Sequence, residues 1–308
     1  MVSNKGSTST AVGVAYSPYT RTLLATAPGL ADFVEIAFEQ LVGTPDVAQH
    51  CRETPFVLHC ASLSLAGNVP PAAETVEQLE RWIAETKTPW LGEHLAYVRA
   101  DGVLREYAEH PAFTAGSAPA APFNVGYTVS PQLSAAVIDR VAAALGAWTR
   151  RFGLPVLLEN GPIYFTMPGS TMSQFAFLCE LCARSDDVLL LLDLAHLWAT
   201  CRNTGADPFE ALYALPLERV VEVHLSGARE QSGVAWDDHV EPAPPVVFEL
   251  LERLLARTTP RAVTIEYNWD AGFPLEIVEA DVGRARGLIA AAAHGREPTW
   301  TPTALTLS

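Results

Sequence analysis

Eight short runs of aliphatic and β-branched residues recur along the chain, each separated from the next by enough residues for a helix. They are AVGVAY from Ala11, FVEIAF from Phe33, FVLHC from Phe56 and WLGEHL from Trp90, then PVLLEN from Pro155, VLLLLDL from Val188, VVEVHL from Val220 and AVTIEY from Ala262. Runs so short and so continuously apolar suit strands of a parallel sheet covered on its outer face by helices. Between them AAETVEQLERWIAETK, PQLSAAVIDRVAAALGAWTRRFG and PPVVFELLERLLART repeat apolar residues at helical spacing. Eight strand–helix units predict an α/β fold, a single (β/α)8 TIM barrel. The competing open, doubly wound sheet calls for a Gly-rich phosphate loop after an early strand, and this chain has none there. The barrel is expected over residues 1–294, with a C-terminal tail at 295–308. The irregular stretch 99–130 after the fourth run is rich in Pro, Ala and Gly and reads as a lid-like loop.

The net charge of −15 argues against nucleic acid as the main partner, since gripping phosphates needs a basic surface. No apolar run approaches the ~18 residues that span a bilayer, and the N-terminal MVSNKGSTST lacks the basic and apolar regions of a signal peptide. The expectation is a cytosolic protein without membrane partners. Its five cysteines, an odd number, then read as reduced thiols. Cys179 and Cys182 form a single CxxC inside the helical pattern QFAFLCELCAR and read as packing residues on a buried face.

The ends of the runs carry the chemistry. The third ends in His59, the fourth in Glu93 and His94, the fifth in Glu159 and Asn160, the sixth in Asp193, the seventh in His224 and the eighth in Glu266. In a (β/α)8 barrel the C-terminal strand ends share one face, so residues far apart in sequence converge on one rim. A carboxylate at the edge of an apolar layer, as Glu159 is after Val156, Leu157 and Leu158, requires compensating positive charge. His196 follows Asp193 as D-x-x-H, and Asp237 and His239 form D-x-H in WDDH. Five imidazoles and four carboxylates, with no sulfur, exceed what one divalent ion takes and suit two or three ions of iron, zinc or manganese.

The series His, His, Glu, Asp-x-x-His, His, Asp-x-His, Glu resembles the trinuclear site of the xylose-isomerase-like barrel superfamily, best known from endonuclease IV. A closer resemblance is to the multinuclear non-heme iron oxygenases, long described as domain of unknown function 692. It rests on LHCASLSLAG (His59), GEHLAY (Glu93, His94), LLENGPIYF (Glu159, Asn160), LLLDLAHLWA (Asp193), VVEVHLSG (His224), DDH (Asp237, His239) and TIEYNWD (Glu266), with FVEIAFEQ supplying Glu35 and Glu39. The resemblance implies two to three iron ions in a mixed Fe(II)/Fe(III) state, with O2 as co-substrate. The expected reaction oxidises cysteines of a ribosomal precursor peptide presented by a partner protein. It groups His59, His94 and Glu159 on one ion, Asp193, His224 and Glu266 on a second with Glu159 bridging, and His196, Asp237 and His239 on a third. Glu35, Glu93 and Asn160, with Tyr107 and Tyr127 of the loop, are candidates to orient substrate or relay protons. The chain departs from the family in carrying Ala195 and His196 where two asparagines are usual, and Ala228 where a second histidine is usual. His196 brings the third group nearer the endonuclease pattern. The alternative is a zinc- or manganese-dependent hydrolase or isomerase of the same superfamily.

Overall fold

The computed structural model describes residues 10–44, 47, 54–100, 122–268 and 274–295. Numbered in chain order, its strands are β1 (Ala11–Ala15), β2 (Phe33–Ala37), β3 (Phe56–Cys60), β4 (Leu91–His94), β5 (Tyr97–Ala100), β6 (Phe123–Val129), β7 (Val156–Glu159), β8 (Leu189–Asp193), β9 (Val220–Ser226), β10 (Ala228–Gln231), β11 (Val234–Asp237) and β12 (Ala262–Glu266). All eight runs become barrel strands. They close in the order β1-β12-β9-β8-β7-β4-β3-β2, every barrel pairing is parallel, and β1 and β12 meet with Ala11 opposite Ala262. The fold is therefore the (β/α)8 barrel that the eight runs predict.

The helices form where the apolar period runs at 3.6 residues. The helix Ala135–Phe152 buries Val137, Ile138, Val141 and Leu145 and stops at Gly153, whose φ of +69° is one that glycine adopts without a Cβ clash. The helix Leu194–Thr204 starts directly at the end of β8, where the Asp193 side chain accepts the His196 N–H at 2.7 Å and caps it. The helices' apolar faces and the outward residues of the strands form one continuous core.

Inside the barrel, alternate residues of each strand face the axis. Phe33, Val57, Trp90, Leu157, Leu191 and Ala262 fill it with a separate apolar layer. Two residues further along five of these six strands stand Glu35, His59, Glu159, Asp193 and Thr264. The sixth, β4, has the small Gly92 there, where a Cβ would come within 2.7 Å of the His59 ring. The barrel thus has an apolar plug below and a polar rim above.

Two antiparallel ribbons lie outside the barrel. β5 pairs with β6, and β10 with β11. The first corrects the reading of 99–130 as irregular: its ends are strands, and the interior residues 101–121, with Tyr107, lie outside the described residues, as do 296–308 of the expected tail. Alternation of Val125, Tyr127 and Val129 marks β6, but Gly126 at φ +90° and the flanking Pro and Ala hide it. Among the described residues, no helix is long and apolar enough to cross a membrane.

Candidate metal centre

Glu159, at the end of β7, is 1% exposed and lies at the centre of the rim. Its Oε2 is 2.8 Å from His59 Nε2 and 3.2 Å from His94 Nε2. Its Oε1 points the other way, 3.4 Å from His196 Nδ1 and 3.7 Å from His224 Nδ1, and has no hydrogen-bond donor. A buried carboxylate oxygen without a donor is costly, and a cation against it removes that cost.

The nine residues singled out as donors come together in three groups. His59, His94 and Glu159 form one, Glu159, Asp193, His224 and Glu266 a second, and His196, Asp237 and His239 a third, with the donor atoms of each group within 4.8 Å of one another. The barrel register sets this up: His94 lies opposite Glu159, and Asp193 opposite His224. Nitrogen and carboxylate oxygen in sets of three and four are a donor chemistry that fits divalent metal ions, so the residues present fit a multinuclear centre.

Backbone carbonyls orient the rings of the third group. His196 Nδ1 lies 2.8 Å from the Asn160 carbonyl and His239 Nδ1 3.1 Å from that of Glu266. With a proton on each Nδ1, both Nε2 lone pairs turn toward Asp237 Oδ2, 3.0 and 2.8 Å away. His239 holds this position with φ at +54°, an uncommon left-handed conformation for a residue with a Cβ.

Electrostatics point the same way. Burial by itself lowers His59, but the hydrogen bond and charge of Glu159 raise it to about 10. His239, likewise opposed by burial, is raised to about 10 by Glu266 and Asp237. His94, in contrast, is lowered, burial outweighing the pull of Glu159. Glu159 is driven well below the usual carboxylate range by the imidazoles around it, against its burial. The carboxylates of this rim demand positive charge, whether as protons on the imidazoles or as metal ions in their place.

Of the residues expected to handle substrate, Glu35, Glu93 and Asn160 are buried and Tyr127 is exposed. Glu93 is 1% exposed and accepts from the Leu63 N–H at 2.8 Å and the His94 N–H at 2.9 Å, so it holds the loop after β3. Asn160 donates to the Asp193 carbonyl at 3.0 Å and accepts the Asp193 N–H at 2.9 Å, clamping β7 to β8. Glu35 is buried inside the barrel beside His224. Glu39 accepts the Ala61 N–H at 3.0 Å. Asp238 pairs with Arg229 at 2.8 Å. Tyr127 is exposed and lines the mouth of the site.

Two features of the site escaped the sequence reading. Glu222 is fully buried beneath His224; a period of two along VVEVHL already puts both on one strand face. Tyr164 lies against Trp236 with ring centroids 4.8 Å apart and, with Phe165 and Met167, walls a cavity of about 380 Å³. His94, His196, Asp237, His239 and Glu266 open into that cavity, and among the described residues no Lys or Arg lines it.

The family described as RiPP precursor modification enzyme MbnB/TglH/ChrH matches this chain over residues 11–290. A UPF0276 protein of Caulobacter vibrioides is 31% identical over 276 residues, 87% of this chain and 91% of its own. A UPF0276 protein of Bordetella parapertussis is 32% identical over 298 residues, covering 91% and 94%. Among solved structures, endonuclease IV from Thermus thermophilus superposes with a TM-score of 0.52 at 16% identity, over 91% of this chain and 99% of that one. A xylose isomerase-like TIM barrel protein from Mycobacterium smegmatis in complex with magnesium gives 0.53 at 13%, over 95% and 99%. At such identities these last two speak to the fold alone.

Proposed function

Because the chain belongs to the MbnB/TglH/ChrH family of RiPP precursor modification enzymes, we propose that it is a multinuclear non-heme iron oxygenase that uses dioxygen to oxidise cysteine residues of a ribosomally synthesised peptide. The observation that carries this reading is the convergence of nine nitrogen and oxygen donor residues in three groups, two of them sharing a buried Glu159 whose Oε1 has no donor. Iron bound there supplies a Lewis acid that lowers the pKa of a substrate thiol and electrons for dioxygen.

The chain's own residues hold and shield. His59, His94 and Glu159 would hold one ion, Glu159, Asp193, His224 and Glu266 a second, and His196, Asp237 and His239 a third. Tyr164, Phe165 and Met167 form an apolar wall at the mouth that keeps water from the reacting side chain. A cavity of about 380 Å³ takes a cysteine and its immediate neighbours. The remainder of a precursor must be held elsewhere, which is the reason for including a partner protein that presents the peptide. We place the reaction in the cytosol, where thiols stay reduced.

The second reading, a zinc- or manganese-dependent hydrolase or isomerase, draws on the complete D-x-x-H and D-x-H donor set. That no Lys or Arg lines the cavity among the described residues, together with the net charge of −15, weighs against its phosphodiester form. The test is to load anaerobically purified protein with iron and expose it to air with a cysteine-containing precursor peptide and the partner protein encoded beside its gene. The expected result is a mass change localised to a cysteine and lost when that cysteine is serine. No mass change with the iron-loaded protein contradicts the proposal.

A further inference from the structure

His224 has a carboxylate at each ring nitrogen. Its Nδ1 lies 3.0 Å from Glu266 Oε2, on the side where Glu159, Asp193 and Glu266 gather, and its Nε2 lies 3.0 Å from Glu35 Oε2, on the side of the barrel interior. A neutral imidazole has one N–H and one lone pair, and a partner that fixes the first fixes the second. A carboxylate inside the barrel, away from the cavity, can only accept, so Glu35 places the proton on Nε2 and leaves Nδ1 to ligate.

Glu35 is itself held. Glu222, fully buried and two residues before His224 on the same strand face, meets the Glu35 carboxylate, and since two carboxyl groups hydrogen-bond only through a proton, Glu222 carries it and donates while Glu35 accepts. Glu222 in turn accepts from Trp90 Nε1 at 2.6 Å and from Thr264 Oγ1 at 2.8 Å. Trp90 belongs to the apolar plug, with the Arg261 guanidinium 5.0 Å from its ring centroid. A hydrogen-bonded column therefore runs from the plug of the barrel to a candidate metal ligand.

We infer that Glu35 is a positioning residue of the second metal subsite, fixing His224 in the form that ligates through Nδ1, with Glu222, Trp90 and Thr264 fixing Glu35. This rests on the metal reading above and replaces the sequence expectation that Glu35 handles substrate. Glu35, Glu222 and His224 are close enough to hold an ion of their own. The hydrogen bonds decide against it: each Glu222 oxygen already has a donor, and among the described residues no unpartnered atom of the three points into the space between them, unlike Glu159 Oε1.

The test needs no peptide substrate. Wild type, Glu35→Leu, Glu35→Gln, His224→Ala and the double variant Glu35→Leu/His224→Ala are loaded with Co(II), and chelator competition and the visible spectrum report each subsite. Glu35→Leu is expected to weaken one subsite about 10- to 100-fold and change its absorption, with the others unmoved. Glu35→Gln, which keeps an acceptor oxygen, recovers most of the loss, and Glu35→Leu adds nothing further once His224 is alanine. Should the leucine variant not fold, Glu35→Ser, which leaves room for water, is read in the same way. Wild-type affinity and spectrum in the Leu or Ser variant, or further loss in the His224→Ala background, overturns the inference while leaving the metal reading intact. A wild type that binds no metal overturns both.

Discussion

Gly92 faces the barrel interior, where an added Cβ would meet His59 Cδ2 at 2.7 Å and Leu191 Cδ1 at 2.9 Å. Gly92→Ala is therefore expected to displace the His59 ring and weaken the subsite of His59 and His94 at least tenfold in a chelator titration, with little change in secondary structure by circular dichroism. Asn160 makes a different prediction. Asn160→Leu leaves the Asp193 N–H and C=O, both buried, without their partners, a cost of about 2–6 kcal/mol. Urea unfolding of chelated protein measures it free of any contribution from metal. Cys182 and Cys201 are pushed up to about 12 by burial. Both thiols thus stay protonated at pH 8, and alkylation there is expected to be far slower in the native than in the denatured chain, rising as pH climbs toward 12. Peptide mapping of the alkylated chain reads this directly. Strand-end residues such as His59 and Glu159 were legible in the sequence because a barrel rim needs only strand order. Where Glu93 and Asn160 point was not, because both serve backbone groups that no sequence spacing reveals.

At the scale of elements, Asp237 reaches the rim on the β10–β11 ribbon. Asn203 on the helix Leu194–Thr204 clamps that ribbon, donating to the Ala235 carbonyl at 2.9 Å and accepting its N–H at 2.8 Å. At the ribbon's base Gly227 passes so close to the Glu241 backbone that no Cβ fits between them. Asn203→Leu is expected to lower bound metal by about one ion per chain, removing the group of His196, Asp237 and His239, while the other two groups keep theirs. Equal metal content in variant and wild type would show that the ribbon does not position the third group. The sequence carried a signal for this element in Ser232–Gly233, both at positive φ, a turn dipeptide between two short strands. The polar run Arg229, Glu230 and Gln231 obscured it, because an exposed ribbon lacks the apolar alternation that marks the barrel strands.

Across the whole molecule, the count of the barrel strands was readable because parallel barrel strands are buried on both faces, and burial writes itself as uninterrupted apolar runs. The hydrogen-bonded column from Trp90 through Glu222 and Glu35 to His224 was not, since it joins three strands far apart in the chain through polar residues inside apolar runs. Binding to the folded state alone adds about 4 kcal/mol per ion at a thousandfold excess over Kd, so chelation is expected to lower Tm by about 8 °C or more. The most direct measurement is metal content by element on protein purified without oxygen and without added metal. The account predicts two to three ions per chain, predominantly iron, and loss of most of them when Glu159 is replaced by glutamine. A chain that carries no metal, and takes up none when iron, zinc or manganese is supplied, contradicts the claim that Glu159 is charged because cations lie against it.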